Sequence, residues 1–333
     1  MTIKITINGY GRIGKNILRS LYKKQENIKI VGINDLGKLE NNAHLTKYDS
    51  THGELEQNVD YDLIKNELIV GQDRIRYSSE TDPEKIPWSD LDVDVVLECT
   101  GFMTSREQAK AHLKYAKKVI ISAPSKDADK TIVYGINHQQ ITEKEQIISN
   151  ASCTTNCLAV ILKPLQKNLG IQSGLMTTIH SFTNDQCLID SCHNDLYRAR
   201  SATTSLIPTS TGAAKTIGLI IPELDGRLDG LAVRVPTNNV SLVDLSLVCN
   251  RETTVDEVNA IMEEAAKTNE MKNILDINKI KLVSIDFNKN EHSAVFDTTQ
   301  TKVQKKLIKV MAWYDNESGF SRRMIDCVNF INK

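Results

Sequence analysis

The stretch Gly9-Tyr10-Gly11-Arg12-Ile13-Gly14 constrains this chain more than any other. It follows the β-branched alternation of residues 3–7, which predicts a strand, and it precedes apolar residues at helical spacing from Lys15 to Lys24. A second apolar strand is predicted over Ile28 to Ile33, ending at Asn34-Asp35. In a Gly-x-Gly-x-x-Gly turn the glycines serve a tight turn, close approach of a pyrophosphate and close helix–strand contact. The helix N-terminus adds unpaired N–H groups and a positive dipole for phosphates. An acid about 20 residues further on suits ribose hydroxyls, and Asp35 stands there. A carboxylate at that point repels a 2′-phosphate and so favours NAD over NADP. Taken singly, Asp35 also reads as a turn or helix-cap residue.

Strands and helices go on alternating. A strand is expected over Asp92 to Cys99, then Thr100-Gly101 and a helix through Tyr115, then a strand over Lys118 to Ser122. Such alternation predicts a parallel sheet with right-handed crossovers. Beyond Cys153 the pattern changes. Strand-like runs cover Gly174–His180, Leu228–Val235, Val240–Cys249 and Leu307–Tyr314, with a polar, helix-poor segment at 181–206. These predict a second, largely antiparallel sheet. The expected fold is α/β: a Rossmann-type dinucleotide-binding domain over 1–152, completed by a C-terminal helix at 317–333, and an α+β catalytic domain over 153–316. A chain of 333 residues is long enough for two cores.

Bulk properties exclude several function classes. With 40% hydrophobic and 25% charged residues and a net charge of −1, the chain reads as globular, with no nucleic-acid stripe and no anionic-membrane face. It has no apolar run of membrane-spanning length and no signal-peptide pattern at Met1-Thr2-Ile3-Lys4-Ile5. Seven cysteines without framework spacing predict reduced thiols in a cytoplasm. No His/Cys set has zinc-ligand spacing, so no metal is expected.

The chemistry is concentrated at Ser149-Asn150-Ala151-Ser152-Cys153-Thr154-Thr155-Asn156-Cys157. Cys153 opens a predicted helix that runs to Leu169 with apolar residues at 158, 161, 162, 165 and 169, a stop at Gly170 and an expected kink at Pro164. A thiol at a helix N-terminus or beside an imidazolium ionises more readily. His180 ends a predicted strand, from which a side chain can reach a cleft, and a Cys/His pair is the logic of an activated thiol. Taken alone, Cys153 more often reads as a buried small hydrophobe and His180 as a satisfied structural histidine. Cys157, Cys187 and Cys192 keep that reading.

Together these segments resemble the phosphorylating glyceraldehyde-3-phosphate dehydrogenase family over nearly the whole chain. The resemblance rests on Ile7 to Gly14, Tyr48-Asp49-Ser50-Thr51-His52-Gly53, Ser122-Ala123-Pro124-Ser125-Lys126 and Ser149 to Cys157. It continues through His180 to Gln186, Ser210 to Lys215, Arg234-Val235-Pro236-Thr237 and Trp313 to Glu317. The resemblance implies that Cys153 attacks the aldehyde of glyceraldehyde 3-phosphate, that His180 is the general base, and that an acyl-thioester is released by inorganic phosphate. It implies NAD contacts by Asn8, Gly9, Gly11, Arg12, Ile13, Asp35, Thr100, Ser122, Asn184 and Asn316, with Thr81 where many relatives carry arginine near the adenine. It implies a substrate-phosphate site of Thr183, Asp185, Arg198 and Arg234 and an inorganic-phosphate site of Ser152, Thr154, Thr211 and Gly212. A homotetramer is implied too, with the 181–206 segment reaching a neighbour's cofactor site.

The sequence departs from the family at Gly37, Ser191-Cys192, Tyr197 and Ser318. The first three positions bear on discrimination against NADP and on loop charge, and Ser318 bears on packing near Asn316. Two alternatives stay open at this point: an erythrose-4-phosphate dehydrogenase, disfavoured by the intact Ser210–Lys215 segment, and a non-catalytic dinucleotide-binding protein, disfavoured by the Cys153–His180 pair.

Overall fold

A computed structural model describes residues 2–24 and 26–332; Met1, Gln25 and Lys333, which fall within the expected domain limits, lie outside the described residues. The chain divides into two compact units, one of residues 1–134, 138–151 and 321–333, the other of residues 135–137 and 152–320.

The first unit is built on a nine-stranded sheet. In spatial order its strands are Lys130–Thr131, Ile147–Ser149, Lys118–Ile121, Val95–Glu98, Ile3–Asn8, Ile28–Asn34, Asp73–Ser78, Glu67–Val70 and Val59–Asp62. The first seven pair in parallel, whereas the last two add on as an antiparallel extension. That extension is not among the strands expected from the sequence; each of its strands is only four residues long. Helix α1 (Arg12–Lys24) follows the first strand, and α2 (Leu39–Lys47) follows the second. Ile5, Ile7, Ile33, Val95, Val96 and Leu97 are completely or almost completely buried, as a parallel sheet covered on both faces requires.

Two segments differ from the sequence expectation. The strand expected over 92–99 is confined to Val95–Glu98; Asp92 takes a positive φ of 53°, and the Asp94 carboxylate accepts the Lys4 N–H at 2.7 Å, which ends the ladder. The helix expected from Gly101 starts only at Arg106, as α3 (Arg106–Ala109), and tightens into a 3₁₀ turn over Lys110–Lys114. Gly101 has φ +74°, and Ser105 forms a capping box with Gln108 that sets the start.

The second unit carries an eight-stranded sheet. Its path is Ile207–Ser210, Leu228–Val235, Ile171–Ser181, Ser241–Cys249, Leu307–Tyr314, Ala294–Asp297 and Leu275–Asn278, with Lys302–Gln304 added beside Leu307–Tyr314. Five of its pairings are antiparallel and two are parallel. One of the parallel pairs sets Ile171–Ser181 beside Leu228–Val235 and puts His180 opposite Arg234. Helix α4 (Cys153–Leu169) runs unbroken through Pro164 and is buried on nearly every side; α5 (Ala213–Ile220) and α6 (Val255–Lys267) pack against it. The last helix, α7 (Ser318–Ile331), begins in this unit and passes into the first at Ser321.

Candidate active site

In the first unit the turn after Ile3–Asn8 is shaped by steric necessity. Gly9 has φ +89°, and a Cβ there would stand 2.5 Å from the Thr100 nitrogen and 2.7 Å from the Cys99 carbonyl carbon. A Cβ on Gly14 would stand 2.6 Å from the Gly9 oxygen. Gly11, by contrast, faces open space, so what its bare backbone admits comes from outside the chain. Asp35 is held by three donors: Tyr10 N–H to Oδ2 at 2.8 Å, and Gly37 N–H and Asn42 Nδ2 to Oδ1 at 2.8 and 3.0 Å. A carboxylate has about four acceptor positions, so it retains capacity for a ribose hydroxyl. The bare Gly37 also has a steric reason, since a Cβ would press to 2.9 Å on Asp35 Oδ1 and on Asn42 Nδ2.

Beneath the turn lies a buried polar chain that sequence reasoning missed. Glu98, 1% exposed, accepts from Asn8 Nδ2 at 2.6 Å, from His112 Nε2 at 3.0 Å and from the Thr100 N–H at 2.8 Å, and also from the Thr100 hydroxyl. Asn34 Nδ2 donates to Asn8 Oδ1 at 2.8 Å. Ser122 donates its N–H to the Glu98 carbonyl at 2.9 Å. Asn8, Thr100 and Ser122 are therefore tied to one carboxylate residue. A fully buried acid inside an apolar strand was the available signal, because such a group is retained only when it is hydrogen-bonded. Arg12 forms a bidentate pair with Asp49 at 2.6 and 3.2 Å. Thr81 is exposed, shortly after the end of the strand Asp73–Ser78.

In the second unit Ser152 caps α4, its Oγ accepting the Thr155 N–H at 3.1 Å, and Cys153 is the first helical residue. Cys153 Sγ lies 3.6 Å from His180 Nε2. His180 Nδ1 lies 2.6 Å from the Ser181 carbonyl, which can only accept, so Nδ1 carries the ring proton and Nε2 presents its lone pair to sulfur. Arg234, opposite His180 in the sheet, donates from Nη1 to the same Ser181 carbonyl at 3.1 Å; that nitrogen lies 2.9 Å from Nδ1, so two donors converge on one oxygen and a protonated Nδ1 accepts nothing from the guanidinium. Its Nε is buried without a partner among the described residues. Tyr314 completes the cluster. Its hydroxyl joins Thr154 Oγ1 at 2.9 Å and Thr178 Oγ1 at 2.8 Å, and its ring meets the His180 ring edge-on at 5.9 Å.

The electrostatics differ from the sequence expectation of a thiolate beside an imidazolium. Burial pushes the Cys153 thiol up, with Arg234 and hydrogen bonds at Thr154 opposing it. Burial, reinforced by the Arg234 charge, pushes His180 down to about 3. Both shifts favour the uncharged forms, S–H and neutral imidazole, because both groups are desolvated and the guanidinium already supplies the local positive charge.

The remaining predicted residues form smaller groups. Asp185 pairs with Arg198, whose Nε donates to Thr209 Oγ1 at 2.9 Å. The Thr183 N–H is held by Gln186 Oε1 at 2.9 Å. Thr211 and Gly212 start α5, where Thr211 Oγ1 accepts the Ala213 N–H at 3.3 Å. Asn316 Oδ1 accepts from the Ser181 and Ser241 hydroxyls at 2.9 and 3.0 Å, which leaves its amide hydrogens as what it can offer. Asn184 is exposed on the segment after His180.

Comparison with known proteins matches both halves of this arrangement. Residues 3–106 fit the profile described as glyceraldehyde 3-phosphate dehydrogenase, NAD binding domain, and residues 152–316 fit the C-terminal domain of the same family. The chain belongs to the glyceraldehyde-3-phosphate dehydrogenase family. It is 60% identical over 332 residues to the plasmid glyceraldehyde-3-phosphate dehydrogenase of Cupriavidus necator, covering 98% of this chain and 97% of that protein. It is 55% identical over 329 residues to the enzyme of that name from Pseudomonas aeruginosa, with coverage of 98% and 97%. Against the one from Geobacillus stearothermophilus it is 48% identical over 334 residues, with coverage of 99% and 98%. The cofactor is NAD, as the matched NAD-binding domain indicates, and the bare glycines and the tethered Asp35 carboxylate fit a dinucleotide. Among the described residues no cluster of His, Cys, Asp or Glu is arranged to hold a metal ion, and no helix is long and apolar enough to cross a membrane.

Proposed function

We propose that this family member oxidises glyceraldehyde 3-phosphate to 1,3-bisphosphoglycerate, with Cys153 as nucleophile and His180 as acid–base. The observation that carries this reading is the 3.6 Å approach of Cys153 Sγ to His180 Nε2, with Nδ1 locked on the Ser181 carbonyl at 2.6 Å. Sulfur attacks the aldehyde carbon as Nε2 takes the thiol proton, and Nε2 returns that proton to the new alkoxide oxygen, giving a hemithioacetal. Nε2 removes the same proton again as the carbon loses hydride, and a thioester on Cys153 remains. NAD, when bound, supplies the hydride acceptor. A phosphate oxygen then attacks the thioester carbon, the C–S bond breaks, and the departing sulfur recovers its proton from His180.

The developing oxyanion is served by the Cys153 N–H at the head of α4 and by His180. The residues around Arg198 and Arg234 suit the substrate phosphate, since guanidinium groups hold oxyanions bidentately. Ser152, Thr154, Thr211 and Gly212 suit the attacking phosphate. Asn8, Gly9, Gly11, Arg12, Ile13, Asp35, Thr81, Thr100, Ser122, Asn184 and Asn316 serve NAD. We also infer a cytoplasmic homotetramer. Seven free cysteines suit a reducing compartment, and the exposed Leu188, Ile189, Leu196, Tyr197 and Leu206 suit an interface between copies.

The test is a steady-state assay with glyceraldehyde 3-phosphate and erythrose 4-phosphate, varying NAD, NADP and phosphate, with mass analysis of Cys153 when phosphate is withheld. Expected are phosphate-dependent turnover with glyceraldehyde 3-phosphate and a trapped acyl group on Cys153. No adduct at Cys153, or faster phosphate-independent turnover of the four-carbon aldehyde, would overturn the reading.

A further inference from the structure

Lys15 is a lysine only 7% exposed, beneath the dinucleotide turn. Its ammonium donates to the Tyr10 carbonyl and, at 2.7 Å, to Asn42 Oδ1; it also lies 4.6 Å from the centre of the Tyr10 ring. Asn42, 4% exposed, sends both hydrogens of Nδ2 onward, one to Asp35 Oδ1 at 3.0 Å and one to the Tyr77 hydroxyl at 2.6 Å. Tyr77 in turn donates to the Gly37 carbonyl at 2.5 Å. The direction of this chain is forced by its two ends. An ammonium can only donate and a carboxylate can only accept, so the amide between them has one permitted orientation. Reversed, Asn42 would face donor to donor at Lys15 and acceptor to acceptor at Asp35.

We propose that Lys15 is the positioning residue of the ribose end of the NAD site: through Asn42 its ammonium holds Asp35 oriented for ribose hydroxyls, and NAD affinity falls when that charge is lost. This rests on the role given to Asp35 above. The charged groups around Lys15 are Asp35 after the second strand, Asp49 after α2, and Arg12 one turn earlier on α1. Burial pushes Lys15 down, Asp35 and Asp49 draw it back up and Arg12 opposes them, leaving it at about 8. Tyr10 and Tyr77 are both pushed up by burial and stay neutral through that range. The ammonium is therefore intact in mildly acidic solution and disappears as pH rises through mildly alkaline values.

The experiment titrates the full-length protein with NAD by calorimetry between about pH 6.5 and about pH 9.5, for wild type, Lys15→Met, Asn42→Ala, their double variant and Asp35→Ala. Wild-type affinity is expected to fall across the range, with fractional proton uptake on binding near the midpoint. Lys15→Met is expected to bind about tenfold more weakly at the acid end, with a flatter profile that meets wild type at the alkaline end. Because Lys15 acts through Asn42, the double variant should bind no more weakly than Asn42→Ala. Wild-type affinity and pH profile in Lys15→Met, or fully additive losses in the double variant, would overturn the proposal. If Lys15→Met does not fold, a wild-type profile that is flat and without proton uptake overturns it equally. Unchanged affinity in Asp35→Ala would instead sink the reading of Asp35, and the proposal with it.

Discussion

His180 shows how one carbonyl can set a reaction. The Ser181 oxygen claims Nδ1, and the tautomer it selects turns a neutral imidazole into a base aimed at sulfur. His180→Asn is expected to slow alkylation of Cys153 by iodoacetamide at neutral pH by about tenfold or more. The sign with pH follows from the raised thiol: below its ionisation the thiolate needs a neighbouring acceptor, and above it hydroxide suffices. The two rates should therefore converge at alkaline pH; equal rates at neutrality would count against the pair. Asp49 makes an independent residue-scale case. Burial would push its carboxyl up, but Arg12 and the N–H groups of His52 and Thr51 more than offset this and lower it from 3.8 to about 2. A depressed acid stabilises the fold above its unfolded value and loses that contribution as pH falls through the folded one. The melting temperature of wild type should consequently drop more than that of Asp49→Asn between about pH 4 and about pH 2.

At the scale of elements, caps and steric contacts decide where segments start. Gly9 is the sharpest case, because both its positive φ and its contact with the backbone at Cys99 and Thr100 exclude a side chain. Gly9→Ala is expected to cost at least about 2 kcal/mol in stability and to abolish NAD binding, read by thermal melting and by titration. Thr254 provides a contrast outside the residues of the candidate site: its hydroxyl caps α6 by accepting the Glu257 N–H at 3.2 Å. Thr254→Ala should lose about 1 kcal/mol with kcat/KM unchanged. Both ends of helix α4 are legible in the sequence, since Ser152, the apolar spacing and Gly170 are all local signals, whereas the helix continues through Pro164, where the sequence predicts a kink. The start of α3 was misplaced because the Ser105–Gln108 box is a side-chain choice that apolar periodicity does not show.

For the whole molecule, the apolar residues exposed at 188–206 are the feature an isolated chain does not explain. Light scattering is expected to give a tetramer, and Ile189→Asp with Leu196→Asp to give smaller species; a fully active wild-type monomer would refute the inferred assembly. The glycine turn, Asp35, the capped cysteine helix and the two kinds of sheet could all be read along the chain, because each depends on neighbours within a few residues. The pairing of His180 with Arg234, the Tyr314 hydroxyl between Thr154 and Thr178, the Glu98–His112 contact and the Lys15–Asn42–Asp35 chain could not. These depend on strand order and register, which bring together residues far apart in sequence. The opposed shifts of Cys153 and His180 belong with them, for they follow from burial and from a guanidinium on the adjacent strand, and neither exists until the chain has folded.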